Sequence, residues 1–181
     1  MTAEHARSPL EGRADDLGRF AAHEVPFLAQ IDLRIARSGA DPLPPFLPLE
    51  TNIWLGWNGR DVLWLGPDEW LVLDGTGATE PAELLAELRT LLSGTHHSVV
   101  DVSANRTVLE LIGDDRYQLL STGCGLDLHP RSWRDGMCAQ TLLARVPVIL
   151  QERSGATRVF VRPSYAEWLL DWLLDAAEGS A

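Results

Sequence analysis

At 181 residues, 45% hydrophobic and 23% charged, the chain has an ordinary globular composition and can bury a sizeable core. Its formal net charge of −11 repels phosphate backbones, and its 15 basic residues, all arginine, form no stripe, so no nucleic acid is expected as a partner. No apolar run approaches the ~20 residues that span a bilayer, and the first thirty residues lack a signal-peptide core, so the expectation is no membrane and a cytoplasmic location.

Residues 1–30 read as a weakly ordered arm whose candidate helix, Ala14 to Ala22, has only Leu17 and Phe20 to bury. A single α+β domain is expected over 31–181. It opens with Ile31 to Ala36, whose alternation predicts a strand with Ile31, Leu33 and Ile35 inward. Asp41 to Pro48 carries four prolines and reads as an extended connector. Trp54, Trp57 and Trp64 fall on two strands, Asn52 to Trp57 and Asp61 to Leu65. A hairpin follows, its tip at Gly66 to Glu69, where Pro67 fixes φ at the corner. Asp74 to Thr79 is loop. Glu80 to Ser93 is an amphipathic helix with Pro81 in its first turn and a stripe of Leu84, Leu85, Leu88, Leu91 and Leu92. Gly94 ends it.

The stretch Val99 to Trp133 organises the rest. Its first strand runs to Val102 and ends on Ser103 and Asn105. The next, Thr107 to Ile112, places Leu109 and Leu111 on one face and Val108, Glu110 and Ile112 on the other. Gly113 punctuates it, Asp114 or Asp115 caps a short helix carrying Tyr117, Leu119 and Leu120, and Gly123 supplies the left-handed stop. Ala139 to Ala144 and Val146 to Gln151 read as strands bent near Pro147, and Thr157 to Val161 as another after a Ser154-Gly155 turn. Ser164 caps a last helix, to about Ala177, that is apolar around most of its circumference. The sum is a mostly antiparallel sheet with helices packed on one face. Seven tryptophans exceed what one modest core needs. The last helix and the tryptophan-rich segment are therefore expected to face a partner, the alternative being that the arm before Ile31 covers the second side of the helix.

Candidates for chemistry are sparse. His96 and His97 are adjacent and diverge on extended chain, without the spacing of a zinc site. Cys124, His129 and Cys138 share one region but match no metal motif, and two cysteines make no disulfide framework. Asp68 and Glu69 offer an acid and a base, or a turn cap beside an exposed carboxylate. Asp101 offers a placed carboxylate, or a cap on the turn through Ser103 or Asn105. Genome composition explains exclusive arginine use. Alternatively, some arginines are buried against carboxylates, for which a guanidinium fork is suited. No phosphate loop, dinucleotide fingerprint or nucleophile elbow is present, so no catalytic, cofactor-binding or metal-ligating residue is assigned.

The segments LGPDEWLVL, VVDVSANRTVLELIGDDRYQLLSTGCGLDLHPRSW, CAQTLLARVPVIL and VFVRPSYAEWLLDWLLDAA, in one order from about Ile31 to Ala177, resemble the gamma subunit of heterotetrameric sarcosine oxidase. The chain departs from that pattern at Gly113-Asp114, where the family has Gly-Pro. The resemblance implies a heterotetramer with alpha, beta and delta subunits that demethylates sarcosine oxidatively to glycine. Hydrogen peroxide and formaldehyde or methylene-tetrahydrofolate are the other products it implies. It further implies that FAD, FMN, NAD and zinc belong to the partner subunits and none to this chain. The family fold is similar to the folate-binding domain of aminomethyltransferases, which leaves a second reading, a stand-alone folate- or one-carbon-binding protein. Those enzymes carry further domains, whereas this chain ends at Ala181.

Overall fold

The computed structural model describes residues 7–36, 43–75 and 77–179. It is α+β, with two antiparallel five-stranded sheets where one was expected. The chain divides into two compact units, one of residues 7–27, 105–135 and 140–179, the other of 28–75, 77–104 and 136–139 within the described range.

The unit that begins at residue 28 holds β2 (Gln30–Ile35), β3 (Trp54–Trp57), β4 (Arg60–Gly66), β5 (Glu69–Asp74) and β6 (His97–Asp101), in the order β3-β4-β5-β2-β6. Ile31, Leu33 and Ile35 are all fully buried, as their alternation requires. Helix α2 (Pro81–Leu91) has Pro81 in its first turn, where a missing N–H costs nothing. It sets Leu84, Leu88 and Leu92 against Ile31, Leu33, Trp70 and Val99. Leu91, expected in that stripe, is 52% exposed, because the three buried leucines already fill the arc facing the sheet. The proline connector lies partly outside the described residues. Its remainder still packs: Phe46 stacks on Trp57 with ring centroids 4.3 Å apart, and the Pro48 carbonyl accepts from Trp70 Nε1 at 2.9 Å.

The other unit holds β1 (Ala22–Val25), β7 (Thr107–Ile112), β8 (Cys138–Leu143) from Gln140 onward, β9 (Val146–Arg153) and β10 (Ala156–Val161), in a sheet ordered β1-β7-β10-β9-β8. The stretch read as an arm contributes α1 (Ala14–Gly18) and β1, which pairs antiparallel with β7. Its two apolar side chains understate its attachment. Arg13 bridges to Asp171 at 2.7 Å, Arg19 to Glu178 at 2.5 Å, and Glu24 accepts from Ser8 and Thr107. Leu109 and Leu111 are buried as expected, but Val108 is buried too, so β7 is covered on both faces.

Several local expectations shift. Asp114 precedes α3 (Asp115–Ser121) in a helical conformation and makes no side-chain cap. Gly123 does not have the positive φ expected of it. A Cβ there would sit 2.6 Å from two ring carbons of Trp172 and 3.1 Å from the Ala144 nitrogen, so close approach is what selects glycine. The β8–β9 bend lies at Ala144 and Arg145, both at positive φ (48° and 70°), as a two-residue hairpin turn demands. Pro147 sits inside β9. Helix α4 (Pro163–Glu178) starts on Pro163 after Arg162, with no cap from Ser164. It buries Ala166, Leu169, Leu170 and Leu173 on one side only.

Candidate functional site

The most concentrated polar chemistry in the fold is a buried network under α3. Register puts Glu152 beside Thr157, and Thr157 beside Leu111, so the three share a face of the sheet. The first turn of α3 delivers Arg116 and Tyr117 to that face. Glu152 is 1% exposed and each of its oxygens accepts two hydrogen bonds. Oε1 takes Arg116 Nη2 at 2.5 Å and Tyr117 Oη at 2.7 Å. Oε2 takes Trp133 Nε1 at 2.9 Å and Thr157 Oγ1 at 2.5 Å. Arg116 also donates to Thr157 Oγ1 at 3.0 Å, to the Gly113 carbonyl at 2.6 Å and to Tyr117 Oη at 2.5 Å. Its guanidinium carbon stands 4.0 Å from the Tyr117 ring centroid.

A carboxylate offers about four lone-pair sites, and here all four are used. Such a group is a good anchor. Burial first, and then the bond to Glu152, push the Tyr117 hydroxyl up to about 12. A tyrosine is neutral when protonated, so a raised folded-state value favours the folded protein only while the proton stays on. That contribution is complete below about pH 10, the ordinary value, and is lost as pH climbs through about 12. Tyr117→Phe should therefore lose the last tyrosine ionisation step in an alkaline absorbance titration. It should also flatten the loss of stability above pH 10.

Two surface grooves flank α3. One, of about 590 Å³, is walled by Phe20, Ile112 and Leu119 and edged by Arg19, Asp115 and Gln118. Both arginines that line it are already bound, Arg19 to Glu178 and Arg116 to Glu152. The other, of about 430 Å³, runs between Tyr117 and the loop from Leu126 to Pro130. In that loop Asp127 accepts from Ser132 Oγ at 2.6 Å and from the His129 amide at 3.0 Å, which holds its carboxyl below the usual range. These bonds shape the loop and present no convergent set to a ligand.

The sequence-level candidates are not gathered into one place. His97 Nδ1 lies 2.7 Å from the Thr95 carbonyl, and His96 is exposed. Glu69 pairs with Arg34 at 2.9 Å, while Asp68 is exposed at the hairpin tip. Asp101 Oδ1 accepts from the Ser103 amide at 2.9 Å and Ser103 Oγ at 2.6 Å, the turn-capping alternative. Cys138 is buried against the Trp64 carbonyl, and desolvation drives its thiol up to about 12. Cys124 is half-buried beside Thr141, and His129 Nδ1 accepts from the Arg131 amide at 3.2 Å. Among the described residues no three His, Cys, Asp or Glu side chains converge, and no helix is long and apolar enough to cross a membrane. Two arginines, by contrast, are buried against carboxylates: Arg116, and Arg158, which meets Glu110 at 2.6 Å. The sequence raised buried arginine without saying which. The usable signal was a charged residue inside an apolar strand, as in VILQER and TVLELI.

Residues 47–179 match the model of the sarcosine oxidase, gamma subunit family. The chain is 37% identical to the sarcosine oxidase subunit gamma of Corynebacterium sp. (strain P-1), across 94% of this chain and 89% of that one. To the corresponding subunit of an Arthrobacter species it is 35% identical at the same coverage. Among solved structures, it aligns with a chain of heterotetrameric sarcosine oxidase from Corynebacterium sp. U-96, in complex with pyrrole 2-carboxylate, at a TM-score of 0.82 and 31% identity. That alignment covers 96% of this chain and 95% of the other. Aminomethyltransferase T of the glycine cleavage system from Bartonella henselae shares the fold, with a TM-score of 0.60 at 14% identity over 92% of this chain and 49% of that one.

Proposed function

The chain belongs to the sarcosine oxidase gamma subunit family, and from that premise we propose that it is the cofactor-free structural subunit of a heterotetrameric sarcosine oxidase. Its partners on this reading are the alpha, beta and delta subunits, which hold FAD, FMN, NAD and zinc. The assembled cytoplasmic complex converts sarcosine to glycine, with hydrogen peroxide and formaldehyde or methylene-tetrahydrofolate as co-products. The carrying observation is the near end-to-end match, 96% of this chain on 95% of the other, with a chain of a heterotetrameric sarcosine oxidase. The closed shell around Glu152 supports a structural role, because the best-placed carboxylate spends every lone pair inside the fold, two of them on the α3 side chains Arg116 and Tyr117.

Co-expression with candidate alpha, beta and delta subunits should give one complex on gel filtration, yellow and active on sarcosine. The chain purified alone should be colourless and inactive. A flavin absorbance band that stays with the isolated chain through gel filtration would sink the proposal. The second reading, a stand-alone folate binder, draws on the aminomethyltransferase fold, which at 14% identity carries no residue across. Saturable quenching of tryptophan fluorescence by tetrahydrofolate in the isolated chain would favour it.

A further inference from the structure

The C-terminal helix carries a feature that its own fold leaves unused. Of its tryptophans, Trp172 lies against Gly123, whereas Trp168 is 49% exposed and Tyr165, one turn before it, is 43% exposed. Both stand away from the buried side formed by Ala166, Leu169, Leu170 and Leu173. Trp168, Asp171 and Asp175 follow one another at i, i+3 and i+7, so they share a strip of helix surface. Asp171 is held by Arg13. Asp175 and the neighbouring Glu167 meet no cation among the described residues.

The geometry points to the Tyr165–Trp168 strip of α4 as a docking surface for an arginine-bearing face of a partner subunit. The inference rests on the gamma-subunit reading and adds the chemistry of the contact. An exposed indole is the aromatic face best suited to a guanidinium, and tryptophan, tyrosine and arginine are the residues that dominate interface energetics. Asp175, unpaired on that strip, and Glu167 beside it select a cation over an acidic surface. A second copy of this chain is the poorer occupant, since each carries a formal charge of −11 and acidic strip would face acidic strip.

The test is the dilution-dependent dissociation of the purified heterotetramer, followed by gel filtration. Trp168→Ala should raise the dissociation constant at least about tenfold while Trp168→Phe retains most of the affinity. Asp175→Arg should also weaken assembly, with an effect that shrinks as salt is raised. The thermal midpoints of the isolated variants should match the parent, because these side chains are exposed. Should Trp168→Ala fail to fold, Trp168→Phe and Asp175→Arg still decide. Dissociation within about twofold of the parent for Trp168→Ala and Asp175→Arg overturns the inference, as does a homodimer that Trp168→Ala dissolves. If the parent chain never enters the complex, the subunit reading fails first and this one falls with it.

Discussion

Glu152→Ala should cost about 3 to 5 kcal/mol of folding stability, the range for removing one partner of a buried ion pair. The side chains of Arg116 and Glu152 are 3% and 2% exposed, so neither water nor a mobile counter-ion replaces the lost carboxylate. Four donors lose the carboxylate together, Arg116 Nη2, Tyr117 Oη, Trp133 Nε1 and Thr157 Oγ1, the first keeping only its bond to Tyr117 Oη. An unsatisfied buried donor costs about 1 to 3 kcal/mol by itself, but four around one cavity relax jointly, so the sum is not the expectation. Against a whole-domain stability of about 5 to 15 kcal/mol, the variant should sit close to unfolding. Urea denaturation of the isolated chain checks it. Glu152→Gln keeps the shape and one acceptor oxygen and should fall between parent and alanine. The double variant Arg116→Met, Glu152→Leu should recover much of the loss, since it removes both charges instead of stranding one. A Glu152→Ala loss under about 1 kcal/mol would mean that the guanidinium reaches solvent and the network is not what holds α3 down.

Why this network escaped the sequence while the elements around it did not has a physical answer. Strands and helices announce themselves by period. Ile31, Leu33 and Ile35 repeat every second residue, and Leu84, Leu88 and Leu92 every fourth, and both sets are buried as the spacing requires. Arg116, Trp133, Glu152 and Thr157 come from a helix, a loop and two strands, and no local pattern links them. Only the β9–β10 register, which sets Glu152 across from Thr157, brings the last two together. Gly123 teaches the same lesson. Glycine after a helix reads as a left-handed stop, because local conformation is all a sequence window contains. The actual reason is a tryptophan ring from forty-nine residues further on, Trp172. Likewise two sheets were read as one, since strand order depends on which strands pair and not on where they lie in the chain. The candidate residues fared according to range. Asp101 with Ser103 is a local cap and was legible, while the seat of the one buried glutamate–arginine pair under α3 was not.

Leu111→Ala should cost about 2 to 5 kcal/mol, the range for truncating a fully buried leucine. Leu111 is 0% exposed and sits in the middle strands of its sheet, with β1 on one side of β7 and β10 on the other. Its cross-strand neighbours are Ala22 and Thr157. Neither can swing in to fill the space: one is a single methyl, the other is fastened to Arg116 and Glu152. A site that cannot collapse keeps its cavity, so the expected value lies in the upper half of that range. Ile112, the next residue, is 47% exposed on the other face, and Ile112→Ala should cost no more than about 1 kcal/mol. The pair separates burial from strand propensity, because both changes remove an aliphatic side chain from the same strand. Denaturant midpoints for the two variants, at unchanged slope, give the comparison directly. Equal losses at the two positions would mean that β7 is not oriented as its register with β1 and β10 describes. A loss below about 1 kcal/mol at Leu111 would mean that the helix-covered face of this sheet is not a packed core.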